Sequence, residues 1–303
     1  AALAMAAALW FGAQPETVVA VTGTNGKTSV ASFLRQIWQG LDLPAVNMGT
    51  TGVEGDMDAP LAHTTPEPVT LHRVLAEVAE DGIDHAAMEA SSHGLDQRRL
   101  DGVRLAAAGF TNITQDHLDY HPSFEAYFDA KAGLFARVLP EGGTAVINID
   151  DAHGVDMAAI ATARGQQVVT TGRDGADLQL VAQRFDATGQ EVRLSWKGAA
   201  WQGRMGLIGG FQADNVLVAA GLAIATGSDP DAVFATLPRL ATVRGRMQIA
   251  ARRAGGAALF VDYAHTPDAV AKACAALRPH VMGRIVAVVG AGGDRDRGKR
   301  PLM

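Results

Sequence analysis

The chain is poor in features that would take it out of the ordinary globular class. A single cysteine, Cys274, occurs in 303 residues, which excludes an internal disulfide framework and fits a reducing compartment. Positive charge is not in excess. With a net charge of −6, no basic face of the kind that drives nucleic-acid binding is expected. The apolar opening, residues 1–11, is too short to span a bilayer and has no basic flank. It reads as the end of a helix from a longer chain. Internal repeats and low-complexity tracts are missing as well. What remains, 48% hydrophobic and 19% charged residues, is globular and long enough for two domains with at least one sizeable core. The expectation is a soluble, cytoplasmic monomer with no nucleic-acid or membrane partner.

The most informative stretch is Thr22-Gly23-Thr24-Asn25-Gly26-Lys27-Thr28-Ser29. Before it runs a short, apolar, β-branched segment, 17–21, which predicts a buried strand. After it Val30, Phe33, Leu34, Ile37 and Trp38 recur at helical spacing, and Gly40 with Pro44 supplies a stop. Strand, glycine turn, lysine, hydroxyl and helix together make a phosphate cradle. The glycines let backbone N–H groups approach phosphates, Lys27 reaches the terminal phosphates, and Thr28 offers oxygen to Mg²⁺. The usual G-x-x-x-x-G-K-[ST] pattern would place glycine at 21, where this chain has Val21. What stands is the shorter Gly23-x-x-Gly26-Lys27-Thr28. The bland alternative is a helix-capping glycine turn with a solvated lysine. The strand-turn-helix context favours an ATP site.

From 17 to about 151, strand-like runs (18–21, 85–88, 106–111, 144–149) alternate with helical patterns, clearest at 69–81 and 124–139, where Ser123 can act as a cap. Residues 177–206 change to a hairpin or small antiparallel sheet around the turn 186–190. Helices follow at 214–225 and 231–237, the latter with Pro230 at its first turn. A boundary falls near 239–245. Beyond it, strand 257–261, helix 268–277 and strand 284–289 read as the beginning of a β-α-β unit. So few elements cannot bury both faces of a sheet, so the chain reads as cut at that end. The expected class is α/β: a P-loop central domain with a mainly parallel sheet and a small antiparallel subsheet, then the start of a Rossmann-like C-terminal domain. The divisions are 1–16 (the end of an N-terminal domain or linker helix), 17–242 (ATP-binding) and 243–303.

Three further residues carry chemistry on their own merits. Glu89 follows strand 85–88, where an acid beside a phosphate loop can hold Mg²⁺ or its waters. The alternative is a carboxylate serving a local turn. His117, in the polar run after strand 106–111, can ligate a cation with Asp116 as its orienting partner. The alternative there is a loop capping the next helix, and His121 is left to it. Lys131 lies on the apolar stripe of helix 124–139, seven after Phe124 and four before Phe135. An ammonium there must snorkel, pair or lose its charge. A lysine amine of lowered pKa can also take up carbon dioxide, becoming a carbamate with the hard oxygens that Mg²⁺ prefers.

The phosphate loop, Met88-Glu89-Ala90-Ser91-Ser92-His93-Gly94, the run 111–121, Ala130-Lys131, Gly245-Arg246-Met247, Asp262-Tyr263-Ala264-His265-Thr266-Pro267-Asp268 and the stretch 292–303 stand in the order found in the Mur ligase family. From about residue 18 to 303 the chain closely resembles those Mur ligases that add the third amino acid to UDP-N-acetylmuramoyl-L-alanyl-D-glutamate in peptidoglycan synthesis. The resemblance implies that Glu89 and His117 bind magnesium and that Lys131 is carbamylated. It places Asn215, Arg246 and Asp262 around the adenine and ribose-phosphate of ATP. Thr64, Thr65, Ser91, Gln97 and Arg99 fall at the muramyl-peptide substrate, and Arg295 near the incoming amino acid. The family's Phe-Asn-x-x-Asn stands here as Phe211-Gln212-Ala213-Asp214-Asn215. Its UDP-binding N-terminal domain is expected here only as a last helix, and its C-terminal domain only in part.

The implied reaction moves the γ-phosphoryl of ATP to the D-glutamyl carboxylate, and the amine of a diamino acid then displaces phosphate from the acyl phosphate. Diaminopimelate is the expected amino acid, because 292–303 looks most like members that add it. Two rivals remain: a folylpolyglutamate-synthetase-like ligase, which shares the short phosphate loop, and a nucleotide switch that hydrolyses ATP without making a bond.

Overall fold

A computed structural model describes residues 1–114, 120–264 and 267–290 of the chain. Helix α1 (Ala2–Phe11) leads into strand β1 (Thr17–Thr22), helix α2 (Lys27–Gly40) and strands β2 (Ala45–Gly49) and β3 (Gly52–Gly55). Next come α3 (Pro68–Glu80), β4 (His85–Glu89), the short α4 (Ser92–Asp96), β5 (Leu105–Phe110), α5 (Phe124–Gly133), β6 (Thr144–Asn148), α6 (Gly154–Ala163) and β7 (Gln167–Gly172). Strands β8 (Leu178–Asp186), β9 (Gly189–Trp196) and β10 (Ala199–Met205) precede α7 (Phe211–Ala225) and α8 (Pro230–Thr236). The remainder holds β11 (Gln248–Arg252), β12 (Ala258–Val261) and α9 (Pro267–Leu277).

Ten strands form one sheet in the order β10-β9-β8-β7-β6-β5-β1-β4-β2-β3. Its centre, from β2 to β8, is parallel throughout, and the pairings β8–β9, β9–β10 and β2–β3 are antiparallel. The class expected from the sequence is therefore the one formed. Strand β1 lies between β4 and β5 and is buried on both faces, which explains its unbroken apolar run. Because side chains alternate along a strand, Val19 and Val21 enter a core with α2 and α7, while Val18 and Ala20 enter a second core with α3 and α5. Burying one large aliphatic side chain in either layer contributes about 1.5–3 kcal/mol. The two cores hold the carboxyl ends of β1, β4 and β5 as a rigid rim.

Caps follow the local sequence. Ser123 accepts from the Ala126 amide, Asp229 from the Ala232 amide ahead of Pro230, and Glu67 from the Val69 and Thr70 amides. Helix α7 begins at Phe211, three residues before the expected 214, so Asp214 closes its first turn rather than opening the helix. The expected helix 124–139 is α-helical to Gly133 and then widens into a π-turn, Leu134–Val138.

The segment after 243 differs from its sequence reading. Strand β12 pairs antiparallel with β11 in a separate two-stranded sheet. The expected strand 284–289 is not formed: those residues carry no regular structure, and Val286 and Val288 are exposed. A parallel strand is stable only with a ladder partner and two covered faces, and among the described residues none lies beside it. His280 ties this segment to the large sheet. Its Nε2 accepts from the Gly209 amide at 2.9 Å, so Nδ1 carries the proton and donates to the Asp186 carbonyl at 2.7 Å. No described helix is long and apolar enough to cross a membrane.

Candidate active site

The loop between β1 and α2 is built around two glycines. Gly23 has φ +149°, and a Cβ there would stand 1.9 Å from Thr111 Oγ1. Gly26 caps α2 in the left-handed region at φ +90°, and a Cβ there would meet Asn215 Oδ1 at 2.3 Å. No side chain caps the first turn of α2, so its backbone donors and the positive end of the helix dipole point to the loop. A cradle that no other residue fits, at a helix N-terminus, suits a nucleotide's phosphates.

Around that loop, residues from distant elements act as a clamp. Asn112 Oδ1 accepts from the Asn25 amide at 3.0 Å, and Asn112 Nδ2 donates to the Asn25 carbonyl at 3.1 Å. Thr111 Oγ1 donates to the same carbonyl at 2.6 Å. Lys27 Nζ curls back onto the loop, donating to the Gly23 and Thr24 carbonyls at 2.9 and 3.0 Å. Ser29 is buried in the first turn of α2.

Thr28 and Glu89 meet below the loop. Thr28 Oγ1 donates to Glu89 Oε1 at 3.0 Å, and the Thr50 amide donates to the same oxygen at 2.7 Å. Glu89 is buried, with Gly49 leaving room for it. A hydroxyl and a carboxylate are hard oxygen donors, the set Mg²⁺ takes. Lys131 approaches from α5, only 1% exposed. Its Nζ donates to the Gly23 carbonyl at 2.7 Å and lies 4.5 Å from the centroid of the Tyr127 ring. Its spacing leaves three outcomes open, to snorkel, pair or lose its charge, and the burial of Lys131 excludes the first. His117 and its partner Asp116 lie outside the described residues, as does Arg295.

The later residues converge only in part. Arg246 Nη2 is 3.4 Å from Thr28 Oγ1 and its guanidinium covers Tyr263 at 5.0 Å. Asp262 turns its carboxylate to the Met247 and Ala264 amides at 2.8 and 2.9 Å, so it shapes the loop that carries Arg246. Thr50, Thr51, Arg244, Gly245, Arg246 and Tyr263 line a cleft of about 240 Å³ beside the Thr28–Glu89 pair.

A second patch joins it at the end of β4. Thr65 Oγ1 donates to the Glu89 carbonyl at 2.9 Å and accepts from the Ser91 amide at 3.0 Å. Arg99 donates to the Thr65 carbonyl and to Gln97 Oε1, each at 2.6 Å. The hydroxyls of Thr64 and Thr50 are 3.0 Å apart. Thr64, Thr65, Ser91, Gln97 and Arg99 thus form one surface continuous with Glu89. His121 is buried among the rings of His93, Tyr120 and Tyr127. The sequence reading assigns no role to Thr50 or Tyr127, and names Thr111 and Asn112 only as the start of the run 111–121.

Near the start of α7, Arg173 bridges two acids, with Nη2 3.3 Å from Asp214 Oδ1 and Nε 3.8 Å from Asp150 Oδ2. Burial pushes the Asp214 carboxyl up to about 6, with Arg173 pulling it down and Asp150 pushing it up. In the unfolded chain an aspartate titrates near about 3.9. Between those values the native state holds more protons, so the stability tied to this group is full below about 4 and is lost as pH rises through about 6. Asp214→Asn is expected to melt with the parent at pH 4 and a few degrees above it by pH 7. Thermal unfolding from pH 4 to 8 checks this; parallel curves would remove Asp214 as the cause.

A sequence profile of the Mur ligase middle domain matches residues 21–223, and one of the Mur ligase glutamate ligase domain matches 245–303. The chain is 49% identical to UDP-N-acetylmuramoyl-L-alanyl-D-glutamate--2,6-diaminopimelate ligase of Chelativorans sp., over 99% of this chain and 62% of that protein. It is 50% identical to the ligase of the same name from Caulobacter vibrioides, over 100% of this chain and 64% of that protein. The chain thus spans less than two thirds of these curated relatives. A solved ligase of that name superposes with a TM-score of 0.80 at 36% identity, over 96% of this chain and 59% of that one. A Mycobacterium tuberculosis folylpolyglutamate synthase solved with ADP and AMPPCP reaches 0.74 at 20% identity, over 91% and 70%, a likeness of fold.

Proposed function

The chain belongs to the Mur ligase family, and from that membership we propose that it carries the ATP-dependent addition of meso-diaminopimelate to UDP-N-acetylmuramoyl-L-alanyl-D-glutamate in peptidoglycan synthesis. The observation that carries the reading is the convergence of Lys27, Lys131 and the Thr28–Glu89 pair on one glycine cradle. The names of its relatives support the choice of substrates. ATP as a substrate and a lone free cysteine, Cys274, fit a cytoplasmic setting. We assign nucleotide binding to 17–242, completed by residues of 243–303, in a monomer.

A carboxylate cannot be amidated directly, because oxide is not a viable leaving group. One D-glutamyl oxygen attacks the γ-phosphorus, ADP leaves, and the amine then attacks the acyl carbon and expels phosphate with that oxygen. Lys27 and the open turn of α2 hold the phosphates. Thr28, Glu89, His117 and carbamylated Lys131 would hold Mg²⁺, which when bound offsets charge on the phosphoryl oxygens. Gly23, Thr24, Asn25, Gly26 and Ser29 shape the cradle, while Asn215, Arg246 and Asp262 serve the nucleoside side. Thr64, Thr65, Ser91, Gln97 and Arg99, with Arg295, serve the peptide and amino acid, where a guanidinium suits substrate anions.

The test is an ADP-release assay on the protein at its natural full length. ADP release is expected to require both the UDP-muramyl dipeptide and an amino acid, and to be faster with diaminopimelate than with lysine. Release with neither present would mark a nucleotide switch and sink the proposal. Faster turnover with lysine would overturn only the amino acid.

A further inference from the structure

Tyr127 is fully buried on α5 between the phosphate loop and Lys131. Core aromatics are ordinary, but a phenol buried this deeply usually has a partner for its hydroxyl. Here the partner is Thr24 Oγ1, at 2.9 Å. The direction of that bond follows from counting. Thr24 Oγ1 lies 3.2 Å from the Thr114 carbonyl, which only accepts, and 3.0 Å from the Thr114 amide, which only donates. The one hydroxyl proton of Thr24 therefore goes to the Thr114 carbonyl, and Tyr127 must be the donor to Thr24. All three capacities of the Thr24 oxygen are then filled.

The ring of the same residue faces Lys131, whose Nζ donates to the Gly23 carbonyl. That carbonyl also accepts from Lys27 Nζ at 2.9 Å. One side chain thus reaches two consecutive residues of the phosphate loop: Thr24 through its hydroxyl, and Gly23 through the lysine held against its ring. The ring bounds the lysine side chain, and Nζ keeps an N–H for the Gly23 carbonyl whether the group is an ammonium or a carbamate.

We propose that Tyr127 is a positioning residue that sets the phosphate loop for the nucleotide, its hydroxyl fixing Thr24 and its ring fixing Lys131 against the Gly23 carbonyl. The inference rests on the ATP-site reading above. It acts through other groups: Tyr127 is buried beneath the loop and is not assigned a contact with the nucleotide.

The test is calorimetric binding of MgATP to the full chain, with melting temperature as the fold control. Tyr127→Phe keeps the ring and removes one hydrogen bond, and is expected to weaken binding about three- to tenfold, the range one such bond supplies. Thr24→Val removes the acceptor. In that background Tyr127→Phe should cause no further loss, because the bond it removes is already gone. Tyr127→Leu, which removes the ring as well, should weaken binding beyond Tyr127→Phe, and should do so in the Thr24→Val background too. A parent that binds MgATP with Tyr127→Phe equal to it overturns the proposal while leaving the ATP site standing. Equal losses from Tyr127→Phe in both backgrounds also overturn it, since a merely structural tyrosine gives additive effects. A parent that binds no MgATP sinks the proposal and the ATP-site reading together.

Discussion

Lys131→Ala is expected to lower ligation on the order of 10²–10³-fold, the usual cost of removing a preorganised electrostatic contact to the reacting groups. The side chain shares its helix face with buried Tyr127, Leu134 and Phe135, and its amine reaches the Gly23 carbonyl at 2.7 Å. An ammonium has donors only and cannot ligate a metal. Conversion to a carbamate leaves one N–H on Nζ for that carbonyl and adds two hard oxygens for Mg²⁺. Acetate or formate should therefore restore part of the activity of Lys131→Ala by supplying the missing carboxylate. Rescue is the decisive readout, because a small carboxylate does not repair a loosened fold. Parental turnover by Lys131→Ala would end the carbamate assignment. Carbon-13 bicarbonate should also give a carbamate resonance in the parent that is lost in the variant.

How much of this site could be read from the chain depends on how local its chemistry is. The phosphate loop was legible because strand, glycines, lysine and hydroxyl follow one another within a dozen residues, and the structure forms β1, the loop and α2 in that order. Lys131 was legible because a lysine on an apolar stripe breaks the helical pattern. The clamp was not: Thr111 and Asn112 grip Asn25 from 86 and 87 residues away, and Arg246 reaches Thr28 across 218. Those contacts follow from β5 lying beside β1 and from the fold-back after α8, which no local pattern encodes. Nothing local singles out Tyr127, since periodicity reports that a residue is buried and not what its hydroxyl meets.

The misplaced boundaries have similar causes. Asp214 marks a helix start by propensity, yet α7 begins three residues earlier at Phe211, following Gly210. There Gln212 is buried and its Oε1 lies 3.3 Å from Asn215 Nδ2, which turns Asn215 Oδ1 to Gly26. The run 284–289 has strand composition without strand structure, because β-propensity is realised only against a neighbouring strand.

Gly23→Ala is expected to abolish tight nucleotide binding while leaving the fold in place. The added methyl would stand 1.9 Å from Thr111 Oγ1, 3.0 Å from the Asn112 carbonyl oxygen and 3.2 Å from its amide, and φ +149° disfavours any side chain. Thr111 cannot turn aside cheaply, because its hydroxyl is engaged with the Asn25 carbonyl at 2.6 Å. The loop must therefore shift as a unit, taking the Gly23 carbonyl, and with it Lys27 and Lys131, out of register. A displacement of about 1 Å is worth roughly a hundredfold in rate at a site of this kind, so ligation should fall at least that far, with MgATP binding weakened alongside it in calorimetry. The sheet beneath is held by two cores that Gly23 does not enter, so melting should fall by no more than a few degrees. Thr111→Ala separates a steric cause from a general one. Alone it should weaken binding by loosening the clamp. Combined with Gly23→Ala it should recover part of the lost affinity, because the atom nearest the new methyl is gone. Additive losses in the double variant would mean that Gly23 is required for its backbone angle and not for the space it leaves, and unchanged binding by Gly23→Ala would remove the loop as the phosphate cradle.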